Sequence, residues 1–381
     1  MNERGIALQN RKVIGLFPEL LGVGGVQEVG RLTAAALLEI ASSRGWALEF
    51  LSLNDAPGPH LLDVCEHRIP LKGFGRAKLR FALAGLRQAR SMQRDVDGVV
   101  VAAHPNLAPL ACWMRSINPR LKSIVISHGI EVWQPLPSFR RRALATADLL
   151  LAPSGDTMIK LADVQGVSRE KIRKLPWPMN PEFLRLADAA TKPAQPASFL
   201  GGTVILTVGR WAASERYKGA DQLIAAIAQL RVEFAGLHLV AVGNGDDLPR
   251  LQKLAADSGV ADCVHFLEGL SREQVAACFS RADIFALPST GEGFGLVFLE
   301  AMAFSKPVLG AACGGTVDVI EHDVNGLLVP PGDLHGLVQN LRRLLRDESL
   351  RGRLGRRGAE IVREEYRFDV FRGKLESFLG D

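Results

Sequence analysis

Leu287-Pro-Ser-Thr-Gly-Glu292-Gly-Phe-Gly-Leu296-Val-Phe-Leu-Glu300-Ala-Met-Ala303 reads as a strand end, a glycine-broken turn and the start of an apolar helix. Glu292 and Glu300 stand eight positions apart, slightly more than two helical turns. The turn puts Glu292 in the loop and Glu300 one to two turns into the helix. Gly293 and Gly295 let the backbone N–H groups of Phe294, Gly295 and Leu296 face whatever occupies the helix N-terminus. Such an end is a ready anion site, and phosphate is its usual occupant. An acid on either side of a phosphate cradle suits a nucleotide-sugar, with hydroxyls for the acids and diphosphate for the amides.

The same strand–turn–helix grammar extends in both directions. Upstream in the second half, the pattern predicts strands at Val204–Val208, Leu237–Val242, Val264–Leu267 and Ile284–Leu287. Helices are predicted at Ala220–Leu230, Asp247–Ser258 and Arg272–Ser280, and strands Pro307–Gly310 and Gly326–Val329 follow the acidic motif. The first half repeats the unit, with strands at Val13–Phe17, Leu48–Leu53, Gly98–Ala102, Lys122–Ser127 and Leu149–Ala152 and a helix over about Val26–Ser43. Between the halves, Leu186–Ser198 is rich in Ala, Pro and small polar residues and reads as a linker. Alternating strands and helices imply parallel sheets covered on both faces. The expectation is therefore an α/β chain of two doubly wound Rossmann-like domains facing across a cleft, with ligands at the carboxyl edges of the sheets. Its bounds are 1–190 for the first domain and 191–365 for the second. Charged helical patterns fill Leu334–Arg346, Glu348–Glu365 and Phe368–Leu379, and the segment 366–381 returns to complete the first domain.

Length and composition fit this scheme. A chain of 381 residues with 47% hydrophobic and 23% charged residues suffices for two soluble domains. No apolar run is long enough to span a bilayer, and Met1–Lys12 lacks the apolar stretch of a signal peptide, so a cytoplasmic protein is expected. Five cysteines without CxxC spacing point to reduced thiols. Residues 1–185 carry 25 Lys/Arg against 16 Asp/Glu, a balance of +9, which favours an anionic partner. Lys72–Arg87, wound as a helix, is basic on one side and apolar on the other. It suits a membrane surface and equally a core-facing helix with a solvated basic face. Phe139-Arg-Arg-Arg142 adds a second basic spot. No aromatic residues interleave with the cations as in a nucleic-acid groove, so nucleic acid is not an expected partner.

Further motifs gather at predicted strand ends. Arg210 in Thr207-Val-Gly-Arg210 follows a strand and Lys218 in Glu215-Arg-Tyr-Lys218-Gly219 precedes a helix. A guanidinium fork and an ammonium make a clamp for a diphosphate. Val242-Gly243-Asn244-Gly-Asp-Asp247 and Gly314-Gly315-Thr316 are weaker glycine turns, and the Asp246-Asp247 pair marks a helix start. Gly22-Val-Gly24-Gly25 follows the first strand without full GxGxxG spacing, and Leu53-Asn54-Asp55 is only a loose match to the acid a dinucleotide needs. A redox cofactor is therefore disfavoured. His128, in Ser127-His128-Gly129, ends an apolar strand, and His104 before Pro105 is its lesser rival. No spaced DxD or HxD pair follows a strand, so no metal or other cofactor is expected.

These residues resemble the family-4 retaining glycosyltransferases with the GT-B fold, also called glycosyl transferases group 1. The resemblance covers nearly the whole chain and is densest from Val204 to Asp333, where Glu292-x7-Glu300, the VGR…KG pair, VGNG and Gly326-Leu-Leu-Val-Pro-Pro-Gly-Asp333 occur in family order. It implies that Arg210 and Lys218 hold the donor diphosphate, helped by amides near Gly293, Phe294, Gly295 and Leu296. Glu300 would bind ribose hydroxyls, Leu270 would lie against the base, and Gly243 and Asn244 would join the donor site. Glu292 would hold hydroxyls of the sugar, Gly24 and Gly25 would border sugar and acceptor, and His128 would touch the sugar and assist the phosphate oxygen. The chain departs from the family at Pro176-Trp177-Pro178, where Pro-Asn-Gly is common, and at Val317-Asp318, where a Glu usually follows the Gly-Gly turn.

The resemblance implies a retaining, metal-independent transfer of a hexosyl unit from a UDP- or GDP-sugar to a glycan or lipid-linked acceptor in the cell envelope, with peripheral contact to anionic membrane. Two rival readings use the same residues: a sugar-phosphate hydrolase or phosphorylase with paired acids, and a catalytically silent nucleotide-sugar-binding subunit.

Overall fold

The computed structural model describes residues 11–92, 96–189 and 202–380. Met1–Asn10 and residues 190–201, which take in most of the linker expected at Leu186–Ser198, lie outside the described residues. The chain forms two compact units, residues 1–178 with 368–381, and residues 179–367.

The first unit runs β1 (Lys12–Phe17), α1 (Gly25–Arg44), β2 (Ala47–Ser52), β3 (Gly58–Val64), β4 (His67–Gly73), α2 (Lys78–Ser91) and β5 (Gly98–Ala102). It continues through α3 (Ala108–Ile117), β6 (Leu121–Ile126), α4 (Ser138–Thr146), β7 (Leu149–Ala152), α5 (Gly155–Asp163) and β8 (Ile172–Lys174). The strand order is β3-β4-β2-β1-β5-β6-β7-β8, parallel except for the antiparallel β3–β4 edge. Ile14, Leu16, Val100, Val125 and Leu150 on one sheet face meet Phe81, Met114, Leu144 and Leu161 from α2 to α5 in a continuous apolar core. Buried on both faces, the central strands read as uninterrupted apolar runs.

The second unit opens with α6 (Pro181–Ala189), β9 (Thr203–Val208), α7 (Ala220–Leu230), β10 (Leu237–Val242), α8 (Leu248–Asp257), β11 (Val264–Leu267) and α9 (Arg272–Arg281). Then come β12 (Ile284–Leu287), α10 (Leu296–Ala303), β13 (Val308–Ala311), α11 (Thr316–Val319), β14 (Gly326–Val329), α12 (Leu334–Arg346) and α13 (Glu348–Glu365). Its sheet is wholly parallel in the order β11-β10-β9-β12-β13-β14. This is the doubly wound order 3-2-1-4-5-6, whose direction reverses between its first and fourth strands. Those strands are β9 and β12, the two that lead into Arg210 and Glu292. The final helix, α14 (Phe368–Gly380), packs on α1 of the first unit.

Three expectations need correction. Lys72 and Gly73 belong to β4, and the helix expected from Lys72 starts at Lys78. The β3–β4 hairpin has no counterpart in the sequence reading. Leu186–Ala189, expected as linker, continue α6, because Phe183 on that helix packs edge-on against Phe279 and Phe304. The units accordingly part at Pro178, ahead of the anticipated 190.

Candidate functional site

In the second unit the loops at the carboxyl edge are tied to one another strand by strand. Leaving β9, Gly209 N–H donates to Val242 O and Trp211 N–H to Asn244 O, at 3.0 and 2.9 Å. Asn244 Oδ1 in turn accepts from Gly269 N–H at 3.0 Å, which sets Leu270 beside the Gly243–Asn244 turn. Beyond Trp211 the chain makes a 3-10 turn over Ala213–Lys218. Its Tyr217 carbonyl accepts from Thr290 N–H at 2.7 Å, joining it to the loop after β12.

That seam brings the predicted charges together. Lys218 Nζ lies 3.4 Å from Glu292 Oε1, with side chains only 16% and 12% exposed. Glu215 reaches both cations: one oxygen is 3.9 Å from Lys218 Nζ and the other pairs with Arg210 Nη2. Arg210 is open to solvent, whereas Glu215 is largely buried. Burial and the carboxylates of Glu215 and Glu292 push the Tyr217 phenol up to about 12, so its hydroxyl keeps its proton.

Glu292 is also fixed through its backbone. Gly315 N–H donates to Glu292 O at 2.7 Å. A Cβ on Gly315 would stand 2.4 Å from Phe294 Cα and 2.5 Å from Gly293 O, so the loop after β13 fits here only as glycine. Gly295 caps α10 in the left-handed region at φ 98°. Leu296 and Val297 open the helix, where no carbonyl of an earlier turn can meet their amides, whereas Phe298 N–H already donates to Gly295 O at 3.0 Å. Phe294 is buried beside Tyr366, and Glu300 sits within α10 as predicted from its spacing.

Asp247 serves differently from its expected capping role. It occupies the position before α8, but its side chain does not cap that helix. Instead it takes Arg216 Nη2 at 3.0 Å and Arg250 Nη2 at 2.5 Å, while Arg250 also grips Asp221 at 2.8 Å. The hydrogen-bonded guanidinium groups hold the Asp247 carboxyl below its usual range. Together with Ala213 N–H to Asp246 Oδ1 at 2.8 Å, this network pins the 3-10 turn from behind. Glu215 and this network were missed at the sequence level. The quoted Glu215–Lys218 run sets a carboxylate within reach of Lys218, but its hold on Arg210 and the Asp247 network depend on side chains that separate loops bring together.

In the first unit, Gly24 precedes α1 at φ 149° and Gly25 begins it. Asp55 is buried and accepts from Leu20 and Leu21 N–H at 2.8 and 3.1 Å and from Ser52 at 2.5 Å. It therefore shapes the glycine loop, with both oxygens engaged within the unit. His128 Nε2 lies 2.9 Å from Ala103 O, and a carbonyl only accepts, so Nε2 carries the proton. In the neutral ring Nδ1 is then an acceptor, suited to a sugar hydroxyl. Trp177, at the point of departure from the family pattern, packs 5.3 Å from this ring, and His104 stacks 5.8 Å from it.

His104 is lowered to about 4, chiefly by burial, with Glu131 opposing and His128 and Arg140 adding to the shift. A histidine depressed in the folded state binds its proton first in the unfolded chain. Stability should thus fall as pH falls from about 6.5 to about 4, by up to about 3 kcal/mol, and level off below. Urea unfolding across that range should show the slope, and His104→Asn should flatten it. An unchanged slope in the variant would assign the acid lability elsewhere.

Among the described residues, no three His, Cys, Asp or Glu side chains are placed to hold a metal ion. No helix among them is long and apolar enough to cross a membrane. None of the five cysteines is in a disulfide.

Two Rossmann-like units, the second with its charged cluster at the strand-order reversal, define a nucleotide-binding class of α/β protein. Residues 188–361 match the family described as glycosyl transferases group 1. The chain is 31% identical over 299 residues to the GDP-mannose-dependent alpha-(1-6)-phosphatidylinositol monomannoside mannosyltransferase of Mycobacterium tuberculosis, covering 75% of this chain and 76% of that one. It is 32% identical over 347 residues to the D-inositol 3-phosphate glycosyltransferase of Stackebrandtia nassauensis, covering 82% and 78%. In fold it resembles sucrose-phosphate synthase from Thermosynechococcus elongatus, with a TM-score of 0.72 and 21% identity over 96% of this chain and 98% of that one. Anabaena HepE in complex with UDP gives a TM-score of 0.72 at 18% identity over 97% and 99%. The chain belongs to the glycosyl transferases group 1 family and is a glycosyltransferase of the GT-B fold.

Proposed function

We propose that this glycosyltransferase moves a hexosyl unit from a GDP- or UDP-sugar to a lipid-linked or glycan acceptor of the cell envelope, with retention of configuration and without a metal ion. The observation that carries the reading is the close approach of Lys218 to Glu292 beside Arg210, at the edge where the strand order reverses. The two cations bind the diphosphate with the amides before α10, Glu292 takes sugar hydroxyls, and Glu300 takes the ribose. Leu270, with Gly243 and Asn244, borders the base. The first unit handles the sugar and acceptor through Gly24, Gly25 and the acceptor nitrogen of His128. The names of the relatives, which specify GDP-mannose and inositol-based acceptors, support this donor and acceptor class.

Catalysis on this reading needs no protein nucleophile. Negative charge grows on the departing diphosphate, and prearranged cations and amides stabilise that charge more than the ground state. The leaving phosphate oxygen takes the acceptor proton on the face where the acceptor attacks, which retains configuration. Incubation with a panel of GDP- and UDP-hexoses should give a glycoside whose anomeric configuration, read by NMR, matches the donor. Free sugar, sugar 1-phosphate or an inverted product would refute it. Activity should persist in EDTA; a loss restored by Mg²⁺ or Mn²⁺ would contradict the metal-free mechanism.

Membrane contact falls to α2. It buries Phe81, Gly85 and Ala89 on one side, so the core-facing reading describes that face. On the other, Leu79 is 81% and Leu83 52% exposed among exposed Lys78, Arg80, Arg87 and Arg90. Apolar residues ringed by cations suit an anionic bilayer surface. Binding to vesicles containing anionic lipid should weaken as salt rises and drop with Leu79→Glu. Binding insensitive to both changes would exclude this face.

A further inference from the structure

The donor grip contains a third carboxylate to which the reading above gives no task. Glu215 holds Arg210 with one oxygen and approaches Lys218 with the other, so a single side chain already occupies both cations assigned to the diphosphate. Counting Glu292, the cluster has two cations and two anions and is neutral before any ligand arrives. The Arg210 half of this pairing adds little to the fold, because Arg210 is 74% exposed and an ion pair that open contributes little to stability, and the more buried Lys218 half is long, at 3.9 Å. Its effect falls on the site.

We propose that Glu215 is a built-in competitor of the diphosphate: it neutralises Arg210 and Lys218 in the empty enzyme, yields them to the donor, and reclaims them as the nucleoside diphosphate departs. This rests on the assignment of those two cations to the diphosphate. The exchange needs only a side-chain rotation, since the turn carrying Glu215 is fastened on three sides, by Asp246 to Ala213, by Asp247 to Arg216 and by Thr290 to Tyr217. Competition weakens the hold on donor and product alike. It weakens the hold on the transition state least, because there the phosphate carries more charge and displaces the carboxylate more completely. A carboxylate ready to retake the cations also assists product release, a step that limits turnover in many enzymes.

The test is calorimetric titration of the full chain with GDP and with UDP, together with steady-state kinetics, for Glu215→Gln, Arg210→Ala and Lys218→Ala. Glu215→Gln should bind whichever nucleoside diphosphate the wild type binds about two- to fivefold tighter, the span expected for one partly exposed charge pair. Product inhibition should tighten in parallel, while kcat and the donor KM both fall. Glu215→Asp, which keeps the charge on a shorter stem, should show a smaller change in the same direction and serves if the Gln variant is unstable. Equal or weaker binding by Glu215→Gln, with affinity lost in the two cation variants, overturns the competitor role and leaves the diphosphate clamp standing. Unchanged affinity in both cation variants removes the clamp itself, and the competitor role with it.

Discussion

Lys218→Ala is expected to lower kcat/KM for the sugar donor by about 10²- to 10³-fold, a loss of about 3–4 kcal/mol of transition-state stabilisation. The size follows from where the ammonium sits. Its side chain is only 16% exposed and faces Glu292 at 3.4 Å, so little water remains to replace its charge. Removing it also leaves the Glu292 carboxylate, 12% exposed, without its near cation and repelling the incoming diphosphate. Arg210 offers a contrast. At 74% exposure its charge is partly screened, and Arg210→Ala should cost about tenfold. Steady-state kinetics with the preferred donor, and thermal unfolding to confirm folding, decide the matter. A change of less than about fivefold for Lys218→Ala would take this residue out of the donor grip.

The ranking of the two cations was beyond the sequence, although their presence was not. Strands β10, β11, β12 and β14 lie where the sequence reading puts them, because each is a short, largely apolar run closed by Gly243, Glu268, Pro288 or Pro330, with only His238 and His265 interrupting β10 and β11. The β3–β4 hairpin lacks that signal. Its strand β3 alternates between partly and fully exposed positions, and its turn is Cys65-Glu66, both at positive φ, where Asn and Gly would be the usual marks. At the site, Glu292 and Glu300 were legible because eight residues and two glycines fix them locally. Glu215 between two cations, Asp247 beneath Arg216, and Trp177 against His128 were not. Each depends on which side chain wins a contest among neighbours brought together by separate loops, and local spacing does not encode that outcome. The division at Pro178 follows the same logic, since aromatic packing of Phe183 with α9 and the end of α10 decides where α6 belongs.

Gly315→Ala is expected to disable the enzyme while leaving it folded, by moving a carboxylate the mutation does not touch. The added methyl would lie 2.4 Å from Phe294 Cα and 2.5 Å from Gly293 O. Both are backbone atoms, so no side-chain rotation relieves the contact and the Glu292–Phe294 loop itself must shift. Overpacking of this kind costs about 1–3 kcal/mol, measurable by urea unfolding. The larger consequence is catalytic. Gly315 N–H holds Glu292 O at 2.7 Å, and displacing this anchor shifts both the carboxylate and the amides that precede α10. A misplacement on the order of 1 Å at a reacting group costs about 10²-fold in rate, so kcat/KM should fall by at least that much at temperatures where the variant is fully folded. Gly373→Ala supplies the control. In α14 a Cβ at Gly373 meets nothing within 4 Å, and replacing a mid-helix glycine should stabilise by up to about 1 kcal/mol with kinetics unchanged. Wild-type kinetics in a folded Gly315→Ala enzyme would mean that the Glu292 loop can move freely without consequence, and the donor grip would then have to be sought elsewhere in the second unit.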